Sequence, residues 1–102
     1  MKELLLIDKE QNLIIKLSGE IDVVNADEFY KETEKLYLQN NKDIIFDLSS
    51  LKFLDSTALG TFVKINNLLK QNGKTLTVKN AREQIKRLFK ICSLDNVFQI
   101  EA

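Results

Sequence analysis

The segment Asp43-Ile44-Ile45-Phe46-Asp47-Leu48 constrains the fold of this chain more than any other. It is too short for a helix, and its β-branched and aromatic residues favour extended backbone. A strand that is apolar almost throughout has the pattern of one covered on both faces, which predicts a central parallel strand. Parallel neighbours need crossovers on the order of a dozen residues, usually a helix. The rest of the chain must therefore alternate helix and strand, and its periodicity does.

Residues 3–8 contain Leu4-Leu5-Leu6-Ile7 between charges and read as a first strand. The polar run Asp8-Lys9-Glu10-Gln11-Asn12 predicts a turn. Leu13, Ile15 and Leu17 then alternate with Lys16 and Ser18, a half-buried strand in an antiparallel hairpin with the first. Gly19-Glu20-Ile21-Asp22 is expected to leave it as a loop. Asn25 with Glu28 has the spacing of a capping box. Ala26, Phe29, Tyr30, Thr33, Leu36 and Tyr37 follow at helical spacing, predicting a helix over about 26–39 that ends at Asn40-Asn41. Residues 49–55 are expected to form a loop with Leu51, Phe53 and Leu54 turned inward. Ala58, Phe62, Ile65 and Leu69 share one helical face, widened by Leu59 and Leu68, and Asn72-Gly73 is a helix stop. Leu76 and Val78 alternate as a strand. Ala81, Ile85, Leu88, Phe89 and Cys92 mark a third helix, and residues 97–100 a short last strand. The predicted order is β-β-α-β-α-β-α-β. This is an α/β fold in which a small mixed, mostly parallel sheet of about four to five strands packs with three helices, as one domain over residues 1–102.

Composition narrows the function. The chain has 102 residues, 44% hydrophobic and 29% charged, ordinary for a globular domain. Lys+Arg and Asp+Glu each number 15, so the net charge is zero. That argues against a chain built to coat nucleic acid or an anionic membrane. Lys64, Lys70, Lys74 and Lys79 are spread over helix, turn and strand without interleaved aromatics, and read as solvated lysines. No apolar run spans a bilayer and Met1-Lys2-Glu3 starts no signal-peptide pattern, so a cytoplasmic protein is expected. Histidine is absent, which removes Ser–His–Asp and Cys–His catalysis and imidazole metal sites. Cys92 is the single cysteine and falls in an apolar helical register, where it reads as buried filler. Phe46, Phe53, Phe62 and Phe89 read as core. Two carboxylate pairs, Asp22/Asp55 and Asp43/Asp47, are the remaining candidates for acid–base or metal chemistry. Asp43 and Asp47 are explained more simply as strand-boundary residues.

One stretch stands out. In Phe53-Leu54-Asp55-Ser56-Thr57-Ala58-Leu59-Gly60 an acid and two hydroxyls interrupt an apolar run where a central strand turns into a helix. Sites in open α/β sheets collect at that edge. Ser56 falls at or next to the helix N-cap, where backbone amides and the helix dipole stabilise an anion. In the simplest reading Ser56 or Asp55 caps the helix. In the functional reading Ser56 is phosphorylated: the fold tolerates the new charge, while next to Asp55 it repels a partner. The two are compatible. Gly60, inside a helix, is explained either by close packing on the sheet or by a patch left bare for a partner.

These residues resemble the signature of the anti-sigma factor antagonists of the bacterial STAS domain family. Leu17-Ser18-Gly19-Glu20-Ile21-Asp22 is similar to that family's loop after the second strand, and residues 80–100 to its C-terminal part. The resemblance runs through nearly the whole chain in order. It implies a regulatory protein-binding domain and kinase substrate, not an enzyme. The unphosphorylated form would bind an anti-sigma factor, a serine kinase, and release the sigma factor. Phosphorylation of Ser56 would end the complex and a phosphoserine phosphatase restore it. ATP or ADP would belong to the kinase, so the chain itself would need no cofactor and no metal. No direct contact with nucleic acid or membrane is expected, and a monomer or weak dimer is. The resemblance makes Ser56 the phosphoacceptor and Thr57 a second candidate, with Asp22, Asp55, Leu59 and Gly60 also at the partner surface. Ala58 and Ser93 depart from the family by replacing glycines; the Ala58 methyl should favour the helix, and whether it crowds the partner stays open. The chain also stops at Ala102, where many relatives have another helix. The alternative within the family is an accessory subunit of a lipid ABC transporter or of a stress-signalling assembly, without a Ser56 switch.

Overall fold

The structure, a computed structural model, describes residues 4–8 and 11–101, with side chains from residue 11 onward. Its elements are β1 (Leu4–Asp8), β2 (Asn12–Ile21), α1 (Ala26–Asn40), β3 (Asp43–Leu54), α2 (Ser56–Gln71), β4 (Leu76–Lys79), α3 (Glu83–Ile91), a 3-10 turn (Leu94–Asn96) and β5 (Gln99–Glu101). This is the predicted order. Glu3 of the predicted first strand, and Lys9 and Glu10 of the predicted turn, lie outside the described residues.

The five strands lie in sequence order β1-β2-β3-β4-β5. β1 runs antiparallel to β2, and each later neighbour is parallel. β3 is central, as expected, but it is not covered on both faces. The three crossovers all step the same way along the sheet, so right-handed connections stack α1, α2 and α3 on a single face. On that face Leu13, Ile15, Leu17, Ile44, Phe46, Leu48, Leu76 and Val78 are buried. Ile14, Lys16, Ile45 and Asp47 on the other face are only half-buried.

The uncovered face is suited to water. Lys16 pairs with Asp47, Asp47 with Lys79, and Lys79 with Glu101, so one row across four strands alternates in sign. Burial pushes the Asp47 carboxyl up, but hydrogen bonds from Ser49 and Asn80 and the charge of Lys16 outweigh it and hold Asp47 below its usual value. A depressed folded value contributes stability above the unfolded carboxyl range, near pH 4, that is lost as pH falls through the folded value. Asp47→Asn is expected to flatten the acid limb of a stability-against-pH curve, measured by denaturant unfolding at stepped pH. An unaltered limb would remove Asp47 from the acid response.

The core is built on aromatic rings. Phe62 of α2 lies with its ring centroid 5.6 Å from Phe29, 5.3 Å from Phe46, 5.9 Å from Phe89 and 6.2 Å from Phe98. Phe53 is the exception among the phenylalanines expected inside, being 49% exposed. Residues 49–54 are not a loop either: β3 continues to Leu54, burying Leu51 and Leu54 and turning Phe53 outward. β2 likewise runs through Gly19, Glu20 and Ile21 instead of ending at Leu17 or Ser18. The two extensions pair with each other across register shifts at Lys16/Ser18 and Gly19/Glu20. Gly19 takes φ +75 at the second shift, a conformation open to glycine at no steric cost.

Two other expectations change. Asn25 makes no capping hydrogen bond to α1, so the capping box does not form. Cys92 is exposed, because α3 ends at Ile91 and the chain turns before the apolar register reaches it. The turn needs a left-handed residue, and Ser93 takes φ 58 there. Left-handed backbone costs a residue with a Cβ on the order of 1–2 kcal/mol. Ser93→Gly is therefore expected to raise unfolding free energy by about 1 kcal/mol in urea titration. A loss of stability would mean that the hydroxyl matters more than the strain.

Candidate functional site

The register of β2 on β3 builds the site. Ile21 pairs with Leu54 at the carboxyl ends of these parallel strands. The next residues, Asp22 and Asp55, thus leave the sheet side by side, one into the loop before α1 and one into α2. Asp55 is the N-cap of α2: its side chain accepts from the Ala58 amide at 2.9 Å. Ser56 is the first helical residue, not the cap. With the capping role taken by its neighbour, the Ser56 side chain is exposed, as is that of Thr57.

The loop from Asp22 to Asn25 is tied by side chains. Asp22 N donates to Asn25 Oδ1 at 3.0 Å, Val24 N to Asp22 Oδ1 at 3.0 Å, and Asn25 Nδ2 to the Glu20 carbonyl at 3.0 Å. Asn25 therefore serves the loop in place of the helix. Val23 N crosses to Asp55 Oδ2 at 2.9 Å. Both carboxylates of the Asp22/Asp55 pair are occupied as acceptors of backbone amides. Asp43 accepts from Thr75 N at 2.8 Å in the same manner. Asp43 and Asp47 stand four residues apart in one strand, about 13 Å, too far to act on one atom. Among the described residues no group of three or more His, Cys, Asp or Glu side chains could hold a metal ion. Nor, among them, is any helix long and apolar enough to cross a membrane.

The loop that Val23 N ties to Asp55, the residue before Ser56, carries two exposed apolar side chains. Val23 is 69% and Val24 88% exposed. Phe53 stands exposed on the strand that leads into the helix. Sequence periodicity missed these three. The signal was there in Val23-Val24, an apolar pair in a connection where neither helical nor strand spacing accounts for it. Thr57, Gly60 and Lys64 are exposed at helical spacing along α2. Lys64 lies 4.2 Å over the Tyr30 ring, so it belongs to the α1–α2 surface and not to a basic stripe.

Leu59 sits differently from expectation, and the structure answers the question left open at Ala58. Leu59 is 4% exposed, so its side chain packs in the core and offers a partner nothing. Ala58 is fully buried, so its methyl faces inward and does not crowd a partner. Both follow from the helical face that carries Phe62. Gly60 is the reverse case: a Cβ built on it meets nothing within 4 Å, which removes close packing as its explanation. Gly60→Ala is thus expected to stabilise the chain by about 0.5–1 kcal/mol in denaturant unfolding. Destabilisation would show that backbone is crowded there.

The comparisons with known proteins agree with this geometry. The STAS domain family model matches residues 4–102. The anti-sigma-B factor antagonist of Staphylococcus aureus is 31% identical over 86 residues, covering 84% of this chain and 80% of the relative. A crystal structure of an anti-sigma factor antagonist from Mycobacterium paratuberculosis is 24% identical and superposes with a TM-score of 0.85 over 97% of this chain and 84% of that one. The Bacillus cell fate determinant SpoIIAA has been solved in two forms. The unphosphorylated one matches with a TM-score of 0.70 at 19% identity, over 87% of this chain and 83% of that one. The phosphorylated one matches with 0.73 at 18% identity, over 98% and 92%. With the sheet order, the Asp55-Ser56 helix start and these matches together, the chain belongs to the STAS domain family, among its anti-sigma factor antagonists.

Proposed function

We propose that this chain binds an anti-sigma factor, a serine kinase, in its unphosphorylated form and so releases the sigma factor, and that phosphorylation of Ser56 switches the binding off. The observation that carries this reading is the position of Ser56, exposed in the first turn of α2, beside exposed Val23 and Val24 and one turn from bare Gly60. A partner gains by covering apolar side chains and by close approach to a helix that lacks a Cβ. A phosphoserine there brings about −1.5 to −2 charges, which the helix N-terminus tolerates and a covered apolar contact does not. The fold survives while the interface fails. SpoIIAA, which shares the fold, has been solved both unphosphorylated and phosphorylated, the two forms this reading requires.

In this reading Ser56 is the acceptor and exposed Thr57 a second candidate. Val23, Val24, Thr57 and Gly60 make contact, Asp22 and Asp55 shape the surface, and Leu59 supports it from beneath. ATP is the kinase's ligand, and a phosphatase resets the switch.

Intact mass of the chain after incubation with ATP and extract of its own cells tests this reading, with Ser56→Ala in parallel. One added phosphate in the wild type and none in the variant is expected. A phosphate on both would move the acceptor to Thr57 or elsewhere. No phosphate on either, with the kinase present in the extract, would reject the switch in favour of an unswitched docking subunit.

A further inference from the structure

Asp55 uses both carboxylate oxygens, and they hold different parts of the chain. Oδ1 accepts from Ala58 N at 2.9 Å within its own helix. Oδ2 accepts from Val23 N at 2.9 Å, 32 residues away. The other side-chain hydrogen bonds of the Asp22–Asn25 loop are local to the β2–α1 connection. Val23 and Val24 are too exposed for burial to hold them. The Asp55 amide donates to the Ile21 carbonyl at 3.3 Å and so fixes the base of the loop; beyond that point, among the described residues, the Val23–Asp55 bond is the one side-chain hydrogen bond between the loop and the start of α2.

We propose that Asp55 is a positioning residue whose two-armed carboxylate holds the Val23-Val24 loop against the start of α2, and that a phosphoryl group on Ser56 breaks the loop arm. The added dianion sits on the next residue. It repels the carboxylate and competes with it for the amides of the first helical turn. The carboxylate keeps its cap or yields it, but it no longer holds Val23 in place. The switch then alters the shape of the docking surface as well as its charge. This second half rests on the phosphorylation reading above; the first half does not.

The test uses the free chain and no kinase. Solvent exchange of the Val23, Ala58 and Phe46 amides is measured by NMR in wild type, in Asp55→Asn, and in a chain carrying phosphoserine at position 56 installed during translation. Asparagine is as good an N-cap as aspartate, but it has one acceptor oxygen. With that oxygen on Ala58 it presents an NH2 donor to the Val23 donor. Val23 exchange is expected to quicken at least about tenfold in both altered chains. The strand amide of Phe46 should stay protected, since a general loss of stability would speed both amides and a loosened loop only one. Unchanged Val23 exchange in Asp55→Asn overturns the positioning role. Faster Val23 exchange in Asp55→Asn with none in the phosphoserine chain overturns the coupling to the switch, while leaving direct charge repulsion of the partner intact. If Asp55→Asn loses Phe46 protection as well, the phosphoserine chain, which keeps Asp55, decides.

Discussion

Phe62→Ala is expected to cost about 3–5 kcal/mol of unfolding free energy, the range for removing a fully buried phenylalanine. Phe62 is fully buried and its ring meets four others, contributed by α1, β3, α3 and the segment before β5. No single neighbour can move to fill the space without leaving the rest. Domains of this size have about 5–15 kcal/mol in all, so the variant should melt on the order of 15 °C lower or more, or fail to fold at growth temperature. Phe53→Ala is the matched control, since Phe53 is half in solvent and its loss should cost under about 1 kcal/mol. Urea titration of the two variants decides. Equal costs would mean that the ring cluster is not the centre of the core.

The second large effect concerns binding. Phosphoserine at position 56 is expected to raise the dissociation constant for the partner kinase at least about tenfold, or 1.4 kcal/mol. The charge enters at an exposed first-turn position flanked by Val23 and Val24, where a partner must displace water from apolar side chains. Breaking an interface by a desolvated or like charge can cost several kcal/mol, so tenfold is a floor. Calorimetry of the phosphorylated and unmodified chains against the kinase gives the ratio. Equal constants would reject the switch even if the phosphate is found on Ser56. Gly60→Ala adds a separate check: a more stable chain that binds less well would identify the bare helix face as contact surface.

Much of this protein was legible residue by residue. Alternation at Leu13, Ile15 and Leu17, helical spacing at Phe62, Ile65 and Leu69, and the apolar run at residues 44–46 each report a local period, and the backbone obeyed all three. Those periods, with short connections, leave few topologies, and right-handed crossovers leave fewer. The start of α2 at Asp55-Ser56 was also readable, because cap preference is a property of a few consecutive residues.

What the periods did not contain depends on residues far apart in sequence. Gly19-Glu20-Ile21 has no strand signature, yet it is strand because Leu51, Phe53 and Leu54 pair with it across the register shift at Gly19/Glu20. Phe53 looked like core, but the second shift and the burial of Leu51 and Leu54 leave it facing out. The all-one-side helices follow from strand order, which no single segment encodes, and they turn the expected two-sided strand into a one-sided one. Asn25 was spaced for a capping box, but the Glu20 carbonyl and the Asp22 amide claimed its side chain. The same holds for the site. Local sequence specified a hydroxyl at a helix start; only the pairing of Ile21 with Leu54 brought Asp22, Val23 and Val24 beside it. Periodicity and capping are energies of neighbours along the chain, whereas register, facing and shared hydrogen bonds are energies of the folded assembly.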